Sequence, residues 1–275
     1  MGKTKLLFIT HEMSPFLELT NISKITRQLP QAMQDKGFEI RILMPRFGNI
    51  NERRNRLHEV IRLSGMNIVI GETDNPLIIK VASIPAARMQ VYFLDNEDYF
   101  HRKYVFNDAK GKFYADNDER TIFFCKGALE TVKKLGWAPD IVHCHGWMSA
   151  LVPAYLKTNY KDDPTFKDAK IIYSVYGEDT FTETLGTEFA KKAVMKGMNA
   201  SDTVDYTEAT HSAMNKAAIK YSDGVVIGDE KIDAELLNFV KKSEKTVLSY
   251  DATLDFENYY NFYQEIASDE LVSVA

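Results

Sequence analysis

Short, uninterrupted apolar runs recur along this chain, each followed by a segment with helical spacing, and that alternation leaves few folds open to it. The first run, Lys5-Leu6-Leu7-Phe8-Ile9-Thr10, is brief and continuous, the pattern of a strand covered on both faces. After it, Ile22, Ile25, Leu29, Ala32 and Met33 keep helical spacing over residues 21–36, and Gly37 stands where a helix ends. Residues 38–44 read as a second strand, stopped by Pro45. Further buried strands are expected at 90–94, 141–143, 170–175 and 224–227, with helices over 116–135, 148–158, 186–198 and 206–221. Strands alternating with helices predict an α/β fold, a doubly wound and mostly parallel sheet with right-handed crossovers.

Residues 57–105 break the alternation. Runs at 57–63, 66–71, 77–83 and 89–95 are β-rich, and the polar segment 72–76 reads as a turn, so a hairpin-like insertion is expected here. From about residue 229 the chain reads as helical, acidic and rich in tyrosine, and its spacing does not place it on the sheet. The expected division is one α/β domain over 1–232 and a helical tail over 233–275, packed on the domain or extending from it.

Composition narrows the partners. A chain of 275 residues with 45% hydrophobic and 27% charged residues can bury a large core. A net charge of −5 argues against nucleic acid, which calls for a basic patch. No apolar run approaches the ~20 residues that span a bilayer, and no apolar stretch follows the N-terminal lysines as in a signal peptide. Two cysteines, Cys125 and Cys144, are too few for a disulfide framework. A cytoplasmic protein with no membrane partner is expected.

The chemistry gathers at residues 139–153, where a strand ends in His143-Cys144-His145-Gly146-Trp147 and a helix begins at once. A side chain at the carboxyl end of a parallel strand faces the crevice where such sheets bind ligands, which marks His145. The plainer reading of a lone strand-end histidine is a hydrogen bond to backbone. His143 is expected to turn away and sit in the core. Adjacent strand residues cannot converge on one ion, so neither a metal nor another cofactor is expected.

These residues carry a resemblance. Segment 139–153 resembles P-D-x-V-H-x-H-D-W-x-x-A-L-V-P of the bacterial glycogen and plant starch synthases, keeping both histidines, the tryptophan and Ala150-Leu151-Val152-Pro153. Glu12, Pro15, Phe16, Leu29, Pro30 and Ala32 fit that family's E-x-x-P-F-x-K-x-G-G-L-x-D-V and the L-P-x-A-L that follows. Residues 91–102 resemble V-Y-x-x-D-x-x-x-Y-F-x-R, residues 114–124 resemble Y-x-D-N-x-x-R-F-x-x-F, and residues 217–228 resemble the last strand of the family's N-terminal domain. The resemblance covers roughly residues 4–232. It implies the Rossmann-like N-terminal half of a GT-B enzyme that moves glucose from ADP-glucose to an α-1,4-glucan. His145 would occupy the active-site histidine position, with Glu12, Asp116, Arg120, Trp147 and Tyr176 as substrate-binding residues. The plainer reading of Asp116 and Arg120 is a helix N-cap and its i,i+4 partner.

The departures from the pattern are specific. Glu18 stands at the family's phosphate-binding lysine, Thr20 and Asn21 at its two glycines, and Lys24 at its aspartate. Gly146 replaces a second aspartate, and Tyr176-Gly177 replace a histidine and an asparagine. A carboxylate about 5 Å from a phosphate, at an effective dielectric of ~20, costs roughly 3 kcal/mol where a lysine would stabilise by as much. The chain also stops near where the resemblance would place the donor domain. The expectation is therefore a synthase catalytic-domain protein, inactive alone. The partners implied are ADP-glucose, an α-glucan, and a protein supplying the second domain. The rival is a non-catalytic module that binds a glucan or a protein through the face around His145, Trp147 and Tyr176. A third reading, a regulator binding another phosphorylated ligand, has the acidic balance and Glu18 against it.

Overall fold

The computed structural model describes residues 2–84, 87, 89–177 and 180–268. Its strands are β1 (Lys5–Thr10), β2 (Glu39–Pro45), β3 (His58–Glu59), β4 (Met66–Ile70), β5 (Thr73–Ile84), β6 (Met89–Asp95), β7 (Ile141–His145), β8 (Lys170–Val175), β9 (Gly224–Ile227) and β10 (Thr246–Leu248). Its helices are α1 (Ile22–Asp35), α2 (Glu52–Asn55), α3 (Glu97–Phe100), α4 (Asn117–Leu135), α5 (Leu151–Lys157), α6 (Phe189–Ala193), α7 (His211–Lys220), α8 (Ala234–Lys242) and α9 (Phe256–Ser268).

The strands form one sheet in the order β10-β9-β8-β7-β1-β2-β6-β5-β3, with β4 hydrogen-bonded to β5. From β10 to β6 every neighbour is parallel, and β5 and β3 extend the sheet antiparallel. The expected doubly wound, mostly parallel sheet is thus present, with β1 in its interior. Leu6, Leu7, Phe8 and Ile9 are wholly buried, as a strand with helices over both faces requires. One helical layer brings α4, α5 and α7 together; the other joins α1 to α9.

Three local expectations change. The hairpin between β4 and β5 turns at Gly71-Glu72, because Ile70 pairs with Thr73, so residues 73–76 are strand and not turn. Gly71 takes φ +59°, which a two-residue hairpin demands and glycine supplies without strain. Residues 57–63 hold only the two-residue β3, since the chain turns again after Val60. The expected helix over 186–198 is reduced to the single turn and a half of α6, and a 3₁₀ stretch, Ala200–Tyr206, precedes α7.

The segment after residue 232 is more than a helical tail. It adds β10 to the sheet beside β9 and then sends α9 across to α1. Gly224 makes that docking feasible: a Cβ there would meet Ile266 Cδ1 at 2.7 Å and Phe262 Cζ at 2.9 Å. Tyr263 of α9 is buried with its hydroxyl 2.7 Å from His143 Nδ1, and His143 Nε2 lies 2.7 Å from Ser174 Oγ. Tyr263→Phe is expected to cost about 1–3 kcal/mol, because a buried ring nitrogen loses its partner. Urea unfolding measures this, and an unchanged midpoint would mean that α9 does not dock here.

Candidate functional site

The parallel register brings three strand ends level, with Thr10 beside His145 and His145 beside Ser174. The residues that follow, His11-Glu12, Gly146-Trp147 and Tyr176-Gly177, therefore emerge side by side at the carboxyl edge. His145 and Tyr176 meet directly, His145 Nδ1 lying 2.8 Å from the Tyr176 hydroxyl. Gly228, at the end of β9, makes room for Tyr176: a Cβ there would meet the ring at 2.4 Å. Gly146 has a similar cause. Its φ is +73°, and a Cβ would stand 3.0 Å from both His11 Cε1 and Ile22 Cδ1, so an aspartate here would be strained in its backbone and would need both side chains to give way.

His143 does not turn away from His145. Residues two apart on a strand share a face, and the two imidazole rings lie 4.0 Å apart between centroids. Both are wholly buried. Burial pushes the His145 imidazole down to about 3, with His11 adding to the effect, and lowers His143 further below its ordinary value together with repulsion from His145. Both rings are neutral at pH 7, and Tyr176, raised by burial, keeps its hydroxyl proton.

Glu12 organises the loop after β1. Its carboxylate accepts the backbone N–H of Leu19 at 2.6 Å and of Thr20 at 2.9 Å, and also the Thr20 hydroxyl. Burial alone would raise this carboxyl, but neighbouring His11, with Nε2 3.6 Å away, and the Thr20 hydrogen bonds hold it below the usual carboxylate range. The two N–H groups at the approach to α1 thus already hold an anion. Thr20 and Asn21 are absent from the residues with positive φ, so the loop runs without the backbone freedom that glycines would bring. Glu18 is exposed and accepts a hydrogen bond from the Ser14 hydroxyl at 2.6 Å, while the exposed Asn21 caps α1 by position without a side-chain bond.

Asp116 and Arg120 are not partners. Asp116 binds Arg102 through both carboxylate oxygens, one contact at 2.8 Å, and makes no side-chain cap on α4. Arg120 is wholly buried; its Nε donates to the Tyr99 carbonyl at 2.8 Å and its Nη1 to Asn117. The rings of Phe47, Phe100, Phe106 and Tyr114 surround the guanidinium at 5.5–6.0 Å. Burial, with repulsion from Arg102, pushes it down to about 10.

Trp147 corrects the expectation of an open aromatic platform. It is 2% exposed, with Phe106 and Phe181 each at 4.9 Å between ring centroids and Phe113 at 6.2 Å. Its indole N–H donates to Thr180 Oγ1 at 2.9 Å. Glu12, Arg120, His145 and Trp147 are all buried and offer no open surface. Both ring nitrogens of His11, His145 Nε2 and Arg120 Nη2 are buried without a hydrogen-bonding partner in the protein. His11, directly after β1, carries the same strand-end signal that marks His145. Phe106 and Thr180 carry no such signal. A shallow surface cavity of about 320 Å³ opens beside the aromatic rings around Trp147, lined by Leu19, Asn49, Tyr104, Phe106, Asp108 and Thr180 among others. Among the described residues no group of three or more His, Cys, Asp or Glu side chains could hold a metal ion, and no helix is long and apolar enough to cross a membrane.

A parallel sheet wrapped by two helical layers, with its motif residues on the carboxyl edge, is the N-terminal half of a GT-B glycosyltransferase. The chain belongs to the starch synthase catalytic-domain family, whose profile matches residues 5–248. It is 36% identical over 235 residues to a glycogen synthase of Chlorobium phaeobacteroides, covering 82% of this chain and 48% of that one. A glycogen synthase of Chlorobium luteolum is 42% identical over 173 residues, 62% of this chain and 35% of its own. The fold matches the catalytic domain of starch synthase IV from Arabidopsis thaliana bound to ADP and acarbose, with a TM-score of 0.71 at 18% identity, over 90% of this chain and 51% of that one. The chain thus spans about half the length of the relatives it matches, or less.

Two outcomes follow from the burial. Trp147→Ala is expected to cost about 3–5 kcal/mol, as for a core aromatic; a nearly unchanged melting curve would place the indole outside the core. The histidines set a pH response. Unfolded histidines titrate near pH ~6.5, whereas folded His145 and His143 take up a proton only at lower pH. Their contribution to stability is complete above that value and falls as pH drops below it. Urea midpoints at pH ~7.5 and ~5 should differ, and His145→Gln should narrow the gap.

Proposed function

We propose that this chain is the acceptor-side half of a glucan synthase site, unable by itself to transfer glucose from ADP-glucose. The observation that carries this is the loop after β1, where the Glu12 carboxylate takes the N–H groups of Leu19 and Thr20 and Glu18 projects beside them. In a phosphate-binding loop those groups would face the ligand, with positive charge nearby. Here a second anion would meet the Glu12 carboxylate, with Glu18 at the position where the family carries its lysine. Positioning and electrostatic stabilisation supply most of a glycosyl-transfer rate, and this loop offers little of either. The chain spans about half the length of the glycogen synthase of Chlorobium phaeobacteroides that it matches.

His145 supports the same reading. Its ring is neutral, held by Tyr176 and wholly buried, so a sugar hydroxyl reaches Nε2 only if the residues covering it move. Substrate contact by Glu12, Asp116, Arg120, Trp147 or Tyr176 would need a similar movement, except at Asp116, which is partly exposed.

A second reading has its own observation. Tyr104 is 41% exposed and Leu19 39% exposed on the shallow surface cavity, next to Asn49 and Asp108. A flat ring with polar groups at its edge suits a glucose unit, so glucan binding without transfer fits this surface. One titration series separates the readings: ADP-glucose, ADP and a maltooligosaccharide against the purified chain, with a glycogen-extension assay alongside. No turnover above a His145→Ala control is expected. ADP should bind weakly and gain about tenfold with Glu18→Lys, since a charge reversal beside a phosphate is worth at least ~1.4 kcal/mol. Maltooligosaccharide binding lost in Tyr104→Ala would support the glucan-binding surface. Turnover by the unaltered chain would overturn the main proposal.

A further inference from the structure

A separate cavity of about 420 Å³ opens where the β4–β5 hairpin and the segment after α6 meet the flank of α4. It shares no lining residue with the strand-end site. One wall is apolar, made by Ile68, Val69, Val194 and Met195. The charged groups facing it are Lys126 and Glu130 from α4, and Lys191, Lys192 and Lys196 from α6 and the residues after it; the hairpin contributes none.

Lys126 is the unusual member. It projects from the middle of α4, is 5% exposed, and donates from Nζ to the Val69 carbonyl at 3.1 Å. Among the described residues it forms no ion pair. Its neighbours Glu130, Lys191 and Lys192 are already engaged. Glu130 accepts the Tyr160 hydroxyl at 2.5 Å, and Lys192 binds Asp118 and Glu119, each at 2.7 Å. Lys191 lies 3.5 Å from Glu188. Burial alone pushes the Lys126 ammonium down to about 8, with no opposing charge to hold it up. An ammonium removed from water without a counter-charge is costly to keep, and proteins retain such groups where a ligand completes them. The cavity also falls within the ~300–1,000 Å³ range of small-molecule sites, which combine an apolar wall with a few placed polar groups.

We propose that this cavity binds a small organic anion with an apolar body, its anionic group paired with Lys126 and its body against Val194 and Met195. The site takes neither an inorganic anion, which would leave the apolar wall uncovered, nor a neutral compound, which would leave Lys126 unpaired. It stands independently of the glucan reading.

The test uses 4-phenylbutyrate as probe, with 4-phenylbutan-1-ol and inorganic phosphate as comparisons, titrated into the whole chain by calorimetry. Phenylbutyrate should bind and the other two should bind at least about tenfold more weakly, as expected when a charge-assisted pair is lost. Lys126→Met keeps the volume and the apolar wall and should weaken phenylbutyrate by a similar factor. Met195→Asp should do the same without touching the lysine, so the outcome is readable even if one variant folds poorly. Affinity should fall between pH ~7 and ~9, as the free protein's Lys126 gives up its proton, because binding needs the ammonium. Lys192 stays charged there, held up by Asp118 and Glu119 against its partial burial. Absence of phenylbutyrate binding, equal binding of the alcohol or of phosphate, or an unchanged affinity in Lys126→Met would each overturn the proposal.

Discussion

A carboxylate buried at the end of the central strand governs much of what this protein can do. Glu12 is wholly buried, and an ionised group in that position must be hydrogen-bonded or it destabilises the fold. The chain meets the requirement by folding the loop after β1 back over it, so that Leu19 and Thr20 present their N–H groups. The same loop sets the entry of α1, and Thr26 on that helix returns a hydroxyl to the Glu12 carbonyl at 2.9 Å. The amides of Leu19 and Thr20 are thus taken by the chain's own buried anion and are not free for a ligand's.

The aromatic layer is the second constraint. Phe106, Trp147 and Phe181 come from three separated parts of the chain and pack with one another, with His11 and with Arg120. The tryptophan N–H finds Thr180, so the layer is hydrogen-bonded as well as packed. Both ring nitrogens of His11, His145 Nε2 and Arg120 Nη2 are left without a hydrogen-bonding partner, an arrangement expected at a functional site more than in an ordinary core.

The C-terminal segment supports the sheet close to the histidine pair. Residues beyond 232 supply β10 and α9, and Tyr263 carries a hydroxyl to His143 inside the sheet. Helix α9 thereby covers the face that holds the histidine pair, and its side chains Phe262 and Ile266 press against Gly224. The burial of His143 therefore depends on a residue 120 positions away in the chain.

Local pattern alone was enough for the sheet, since a short apolar run with a helical segment after it can hardly be anything but a covered strand: β1, β2, β6, β7, β8 and β9 stand where the runs do. Motif spacing likewise marked the carboxyl edge, because residues directly after parallel strands must emerge together. Other features could not be read this way. The two-residue β3 and the shortened α6 have the composition of longer elements, and tertiary packing decides where they stop. Burial of Trp147 depends on Phe106, Phe113 and Phe181, none of them near it in sequence. Asp116 chose Arg102 over Arg120 because the latter guanidinium is drawn into a cage of rings, a three-dimensional outcome that i,i+4 spacing cannot express. The sequence by itself determined the fold and the place of the candidate site, both set by near-neighbour chemistry. Whether that site is open or sealed was decided only by the tertiary structure, since closure depends on loops that meet across the sheet.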